Sequence, residues 1–135
     1  MKFKTFKYNS VTSTNKTAIE LIKKKRIEKG FVYALTQKRG KGRYGRKWIS
    51  KKGNFFGSIF FPLKKNYPPF NEFAIINPVI ISEVIKQFCE ENKISFKWPN
   101  DVFLNGKKIC GILQEIVTSK EKKFIIILNL KKKLI

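Results

Sequence analysis

The sequence predicts an α+β domain in which helices pack on a mixed, largely antiparallel sheet. Two segments, residues 13–26 and 71–92, have apolar residues at helical spacing, and several short apolar segments are bounded by turn residues. The order of these segments, a strand, a helix, several strands, a helix and several strands, favours the α+β class. With 135 residues, the chain has the length of one domain and can bury a core of ordinary size.

The first half of the chain is predicted to contain three strands and one helix. Residues 2–8 alternate between lysine and mostly aromatic residues, which predicts a strand. Residues 13–26 predict a helix, and hydroxyl residues just before it are suitable helix starters. Residues 31–36 and 55–61 are short apolar strands, the second of which ends at Pro62.

The second half begins with a loop at residues 64–70, and residues 71–92 then predict a long apolar helix. Its predicted buried face consists of Phe73, Ile76, Ile80, Val84 and Phe88. Asn105 followed by Gly106 is a strong signal for a two-residue hairpin. The predicted strands around this hairpin are residues 94–98, 102–104, 107–117 and 124–130.

The composition excludes several kinds of chemistry. The chain has no histidine, so a histidine general base, a Ser-His-Asp triad and most zinc sites are excluded, and any catalysis must be electrostatic or metal-assisted. No segment reaches the ~18 consecutive apolar residues of a membrane span, and residues 1–10 lack the apolar core of a signal peptide. We therefore expect a cytoplasmic protein with no membrane partner.

A net charge of +21 raises the alternative of a basic nucleic-acid-binding module. The lysines, however, are spread along the whole chain, with runs at residues 23–25, 51–52, 64–65 and 131–133, which is typical of a solvated surface. We therefore expect no specific nucleic-acid partner. The alternative predicts a steep loss of RNA or DNA affinity as salt increases.

The most informative segment is residues 37–48, which we call the basic loop because it combines six cations with three glycines. The chain has four arginines, and three of them, Arg39, Arg43 and Arg46, lie here. Arginine offers a planar fork that pairs bidentately with carboxylate or phosphate, whereas lysine is a point charge. Glycine allows the backbone to approach a ligand closely. The basic loop is therefore predicted to hold an anionic ligand, although its spacing matches neither standard nucleotide fingerprint.

Two residues further along the chain are candidates for the same chemistry. Asp101, the only aspartate in the chain, lies in the segment KWPND and suits a Mg²⁺ ion held against a nucleotide phosphate. Its alternative is a turn residue or an ion-pair partner. Lys108 is predicted to lie on a strand, on the same face as Cys110 and Ile112, where it would neutralise a carboxylate if that face lines a pocket. Its alternative is a surface lysine.

Together these motifs resemble the biotin protein ligases, also called biotin-[acetyl-CoA-carboxylase] ligases. The family's catalytic domain begins with a strand and continues with an STN motif, a glycine- and arginine-rich loop, KWPND and a K-x-x-GIL-x-E strand. All occur here in that order, at residues 13–15, 37–48, 97–101 and 108–115. The resemblance covers about residues 3–129. It implies the catalytic fold of biotin and lipoate ligases, which is similar to that of class II aminoacyl-tRNA synthetases.

The resemblance implies a two-step reaction. Biotin and ATP, with Mg²⁺, form biotinyl-5'-adenylate and pyrophosphate, and the acyl group then passes to a lysine of the biotin carboxyl carrier protein of acetyl-CoA carboxylase. The implied catalytic residues are Arg43, Lys108 and Asp101, of which Asp101 is also the metal ligand. The implied biotin-binding residues are Ser13, Thr14, Asn15, Gln37, Gly40, Lys41, Gly42, Arg43, Lys108 and Gly111. The implied ATP-binding residues are Arg43, Arg46, Trp48, Asn100, Asp101 and Asn129.

The chain departs from the family pattern at two places. The family's loop usually has arginine where Lys41 stands, and a later strand usually has glycines where Ile125 and Ile127 stand. Residues 1–135 are expected to form part of the catalytic domain, without the N-terminal DNA-binding region of some members and without the small C-terminal β domain. Whether the protein forms a homodimer stays open. A related lipoate or octanoate transferase also stays open, although the full basic loop argues against it.

Overall fold

The computed structural model describes residues 2–48, 50–89 and 93–131, and seven strands in this part of the chain form a single sheet. The order across the sheet is β1-β2-β3-β7-β6-β5-β4; β1 and β2 are parallel, and every other neighbouring pair is antiparallel. The predicted α+β fold with a mixed, largely antiparallel sheet is therefore confirmed. The strands are β1 (Lys4–Val11), β2 (Gly30–Gln37), β3 (Phe55–Pro62), β4 (Ile94–Lys97), β5 (Asp101–Leu104), β6 (Lys107–Ser119) and β7 (Lys122–Lys131).

The first helix, α1 (Thr14–Lys23), begins where the sequence predicts. Ser13 caps it, because its Oγ accepts a hydrogen bond from the N–H of Lys16 at 3.1 Å. The apolar side of α1 packs on β2, β3 and β7 through a cluster that includes Ala18, Leu21, Ile22, Val32, Phe60 and Ile126. This packing fixes the STN motif, at the start of α1, against the sheet.

The second helix, α2 (Phe73–Lys86), lies on the opposite face of the sheet. In β7, Ile125 and Ile127 belong to the apolar cluster that includes α2, whereas Ile126 belongs to the cluster that includes α1. Successive side chains of a strand point to opposite faces of a sheet, so the two helices cover different faces.

The predicted buried face of α2 is confirmed at Phe73, is half-buried at Ile76 and is wrong further along the helix. Ile80, Val84 and Phe88 are 57%, 49% and 73% exposed. Apolar residues occur on all sides of this helix, so their spacing does not select one face. The face is selected by tertiary partners, such as Gln114, whose Oε1 accepts a hydrogen bond from Asn77 Nδ2 at 3.0 Å. The buried residues of the helix are Phe73, Asn77, Pro78, Ser82 and Ile85.

The predicted hairpin is confirmed, because Asn105 and Gly106 have φ values of 51° and 76°, as a tight two-residue turn requires. By contrast, α2 ends at Lys86 rather than at residue 92, and residues 90–92 of the predicted helix lie outside the described residues. Within the described ranges, no helix is long and apolar enough to cross a membrane.

Candidate active site

The basic loop leaves the end of β2 and reverses on itself. The N–H of Trp48 donates to the carbonyl oxygen of Gly40 at 2.9 Å, so the two ends of the loop lie side by side. At the tip, Tyr44 and Gly45 have φ values of 57° and 70°, in the left-handed region that glycine adopts without strain. Gly45 therefore allows the backbone to turn tightly at the tip of the loop.

The loop borders a cavity of about 400 Å³ that is also bordered by the KWPND segment and β6. Three segments that are distant in sequence thus contribute predicted ligand-binding residues to one place. Those lining the cavity are Lys41, Gly42, Arg43, Arg46, Trp48, Asn100, Asp101, Lys108 and Gly111.

Arg43 is held against the KWPND segment. Its Nη1 donates to Oδ1 of Asn100 at 3.2 Å, and its Nη2 donates to the hydroxyl of Tyr44 at 3.0 Å. The carbonyl oxygen of Asn100 accepts a hydrogen bond from the N–H of Ile112 at 2.8 Å, which fixes this turn to β6. The guanidinium group of Arg43 is thereby positioned at the cavity wall.

Lys108 and Asp101 form an ion pair beside the same cavity. Nζ of Lys108 lies 2.9 Å from Oδ1 of Asp101 and 4.9 Å from the centroid of the Trp48 ring. Gly111 leaves room for that ring, because a Cβ at this position would lie 3.0 Å from Cη2 of Trp48. The indole and the carboxylate together hold the ammonium group of Lys108 at the cavity.

The predicted face of Lys108 is wrong. The register between β5 and β6 shifts between Val102 and Phe103, which interrupts the strict alternation of β6. Ile109 and Cys110 both pack in the cluster with α2, whereas Lys108 contacts Asp101 and Trp48. A local irregularity of this kind has no signal in the apolar pattern, and it directs Lys108 into the cavity.

Asp101 is the residue predicted to bind Mg²⁺. Among the described residues, no group of three or more His, Cys, Asp or Glu could hold a metal ion. Oδ1 of Asp101 is buried, and among the described residues its polar partner is the ammonium group of Lys108. Mg²⁺ commonly binds through one or two carboxylates together with phosphate oxygens and waters. The site therefore fits an ion that arrives with a nucleotide and does not fit a site made by protein alone.

The STN motif lies at the start of α1 in a buried hydrogen-bond network. Thr14, Asn15 and Ser58 are fully buried, and Oγ of Ser58 lies 2.7 Å from Oγ1 of Thr14 and 2.6 Å from Oδ1 of Asn15. A hydroxyl has one proton and the Asn15 oxygen can only accept, so Ser58 donates to Asn15 and accepts from Thr14. Nδ2 of Asn15 then donates to Oε2 of Glu115 at 2.7 Å.

Gln37 links the start of α1 to the basic loop. Its Oε1 accepts a hydrogen bond from the N–H of Thr14 at 2.9 Å, and its Nε2 donates to Oγ of Ser50 at 3.1 Å. Gln37 also lines a second cavity, of about 820 Å³, together with Gly40, Lys41 and Trp48. A ligand that binds at the STN motif must exchange hydrogen bonds with groups that are paired within the protein.

Ser58 and Glu115 complete the site and were absent from the predicted site residues. The signal for Ser58 is a lone serine in the buried apolar strand FFGSIFF, because a buried hydroxyl requires a hydrogen-bond partner. Glu115 is the last residue of the K-x-x-GIL-x-E strand and alternates with Gly111, so both side-chain positions are on one face of β6.

Asn129 lies in β7, where its backbone pairs with Ile112 of β6 and Gly57 of β3. Its side chain is outside the described part of the structure, so its role in ATP binding stays a prediction. Ile125 and Ile127, which replace the usual glycines, are buried in the core beside α2. This departure from the family pattern therefore contributes apolar packing.

A mixed sheet whose glycine- and arginine-rich loop encloses a cationic cavity with a KWPND turn defines a class of ligase catalytic domain. The chain belongs to the biotin/lipoate A/B protein ligase family, whose model matches residues 8–132. The recognition made from the motifs is confirmed, and a nucleic-acid-binding module is not favoured.

Curated relatives include two bacterial proteins. The bifunctional ligase/repressor BirA of Bacillus subtilis (strain 168) is 32% identical over 120 residues, which cover 85% of this chain and 35% of that protein. The biotin--[acetyl-CoA-carboxylase] ligase of Paracoccus denitrificans is 33% identical over 86 residues, which cover 63% of this chain and 36% of that protein. The chain spans between 25% and 36% of the length of the first curated relatives that it matches.

Solved structures agree with this assignment. The biotin protein ligase from Aquifex aeolicus in complex with biotin and ATP is 30% identical, with a TM-score of 0.75, and the match covers 98% of this chain and 54% of that one. The biotin protein ligase from Leishmania major in complex with biotinyl-5-AMP is 23% identical with a TM-score of 0.77, over 100% of this chain and 59% of that one. The second likeness supports the fold alone.

Proposed function

We propose that this chain carries the site at which ATP activates biotin to biotinyl-5'-adenylate, and from which the biotinyl group passes to a lysine of the biotin carboxyl carrier protein of acetyl-CoA carboxylase. The observation that carries the proposal is the convergence of Arg43, Lys108 and Asp101 on one cavity beside Gly111. The names of the relatives, and the biotin and ATP bound to the Aquifex aeolicus protein, support the choice of substrates.

The first step brings two anions together. An oxygen of the biotin carboxylate attacks the α-phosphorus of ATP, a new O–P bond forms, the bond from that phosphorus to the bridging oxygen breaks, and pyrophosphate leaves. A carboxylate is ionised at neutral pH, so the step needs no general base, which suits a chain without histidine. Preorganised cations and correct orientation reduce the barrier from mutual repulsion.

Arg43 and Lys108 are the cations that we assign to this step. The fork of Arg43 can hold two oxygens at once. The ammonium group of Lys108 has three donors, and its pairing with Asp101 leaves donors for a substrate carboxylate or phosphate. Asp101 and Asn100 would hold Mg²⁺ that arrives with ATP, and the bound ion would supply further neutralisation of phosphate charge.

The remaining site residues are assigned to the two ends of the adenylate. We propose that the ureido head group of biotin binds at the STN motif and Gln37, with Gly40, Lys41 and Gly42 closing above it and Gly111 below it. The adenosine side is assigned to Arg46, Trp48 and Asn129.

In the second step, the amine of the carrier lysine attacks the carbonyl carbon of the adenylate. The bond from this carbon to the AMP oxygen breaks as the amide bond forms, and the surplus proton of the amine passes to solvent.

The test is biotin-dependent exchange of labelled pyrophosphate into ATP by the purified chain. We expect exchange with biotin and none with lipoate or octanoate. Arg43→Ala should abolish it, whereas Arg26→Ala, which removes an exposed arginine that borders neither the 400 Å³ nor the 820 Å³ cavity, should retain most of it. Circular dichroism confirms that each variant is folded. A folded parent chain without exchange would overturn the proposal, and exchange with lipoate alone would overturn the choice of biotin. A cytoplasmic location and a homodimer stay predictions.

A further inference from the structure

Glu115 uses its two carboxylate oxygens for different parts of the molecule. Oε2 accepts the hydrogen bond from Nδ2 of Asn15 at 2.7 Å, and Oε1 lies 3.3 Å from Nζ of Lys41. Asn15 belongs to α1, which is packed on the sheet, whereas Lys41 belongs to the basic loop. One carboxylate therefore joins the loop to the core of the domain.

The buried network at the STN motif fixes the orientation of this contact. Because Ser58 donates to Oδ1 of Asn15, the amide presents its Nδ2 to Glu115. Glu115 thus receives a hydrogen bond from a buried, fixed donor on one side, while its other oxygen is left for the loop. The core therefore restrains the carboxylate independently of its contact with Lys41.

Lys41 is well placed to restrain the loop. It forms a bridge with Lys47 across the base of the loop, so a bond at Lys41 restrains both arms. The loop starts beside the STN motif, because the N–H of Thr14 donates to Oε1 of Gln37 and the N–H of Arg39 donates to the carbonyl oxygen of Thr12. Tyr44, at the tip, is 85% exposed.

We propose that Glu115 is a positioning residue that latches the basic loop, because its carboxylate ties Lys41 to the start of α1 and so restrains the loop beside the STN motif. The inference rests on the proposed function only in naming the biotin head group as the ligand at the STN motif. It also gives Lys41 a role that either lysine or arginine can fill, since both can pair with a carboxylate.

The latch is tested in the free protein by limited chymotrypsin cleavage after Tyr44, with the fragment quantified by mass spectrometry. Glu115→Gln keeps an oxygen that can accept from Asn15 but loses the charge that attracts Lys41, and Lys41→Met removes the other partner. Each should accelerate cleavage by about two- to fivefold, as for a partly exposed ion pair. The double variant should be no faster than either single variant. Lys41→Arg should retain the protection of the parent.

Additive effects in the double variant would overturn the latch, and so would an unchanged cleavage rate in Glu115→Gln. Both results are expected if Glu115 interacts functionally with Asn15 and not with Lys41. A second readout is the rate of biotin dissociation, measured by tryptophan fluorescence. This rate should rise in Glu115→Gln by a similar factor. If the parent chain binds no biotin, the proposed function fails, while the cleavage cycle still decides on the latch.

Discussion

Gly40→Ala is the substitution whose effect follows most directly from the geometry of the loop. Gly40 is buried, and a Cβ there would lie 2.3 Å from Oγ of Ser50, 2.8 Å from the carbonyl oxygen of Trp48 and 2.9 Å from Nε2 of Gln37. The contact with the Trp48 carbonyl oxygen involves backbone, and the N–H of Trp48 is hydrogen-bonded to Gly40 itself. Rotating a side chain therefore cannot relieve this contact. Gly40 is required for space.

Gly42 provides the matched control in the same loop. A Cβ there would meet Arg46 atoms only at 3.7 and 3.8 Å, which is ordinary van der Waals contact. Overpacking costs about 1–3 kcal/mol, whereas alanine at a compatible glycine position is neutral or stabilises by about 0.4–1 kcal/mol. We therefore expect Gly40→Ala to lower the free energy of unfolding by about 1–3 kcal/mol and Gly42→Ala to leave it unchanged or slightly raised.

The assay is urea unfolding of both variants and the parent. The slope m of the unfolding free energy against urea concentration should be the same for all three, which confirms that they share one transition. Gly40→Ala should also weaken biotin binding, because it displaces Gln37, which holds the start of α1. Equal unfolding free energies for the two variants would refute the reasoning, because the local structure around Gly40 would then be looser than the distances indicate.

Three further predictions concern single contacts. Ser58→Ala should lower the free energy of unfolding by about 1–3 kcal/mol, because it leaves the buried oxygen of Asn15 without its donor; urea unfolding checks this. Lys108→Met should destabilise by a similar amount of about 1–3 kcal/mol, since Asp101 loses its cation, and Asp101→Asn in the same background should recover part of the loss. Glu28→Gln should leave the thermal midpoint unchanged at pH 7, because the Glu28–Lys122 pair is exposed.

For Glu28, the sign of the pH dependence is fixed. The side-chain hydrogen bond from Lys122 lowers the pKa of the Glu28 carboxyl, so any stabilisation is present above the ordinary pKa of 4.5 and is lost as pH falls through the lowered value. A midpoint difference between Glu28→Gln and the parent that grows as pH falls would contradict this. For Ser58→Ala, an unchanged unfolding free energy would show that the buried network at the STN motif is dispensable. For Lys108→Met, the same result would show that Asp101 is already well solvated.

Local features of the sequence predicted the elements that depend on local interactions. Ser13 caps α1 through a contact only three residues away, and the Asn105–Gly106 turn depends on backbone conformations that few residues adopt. The basic loop is recognisable in the sequence because no other residue types allow the same bidentate pairing and close backbone contact with an anion as arginine and glycine. Residue type and spacing suffice in these cases.

The orientation of α2 and the direction of Lys108 needed the folded structure. Apolar residues occur on all sides of α2, so its buried face depends on the hydrogen bond between Asn77 and Gln114. Lys108 faces the cavity because the register between β5 and β6 shifts. Neither feature changes the apolar pattern along the chain.

The sequence alone determined the α+β class, the family resemblance and the chemical character of the site, because these depend on periodicity, motif order and the types of side chain present. Only the tertiary structure decided how the parts are connected. The hydrogen bond from Asn15 to Glu115 spans 100 residues of sequence, and that from Ser58 to Asn15 spans 43. Such contacts exist because α1, β3 and β6 pack together, and the free energy that selects them comes from burying the whole core rather than from either residue.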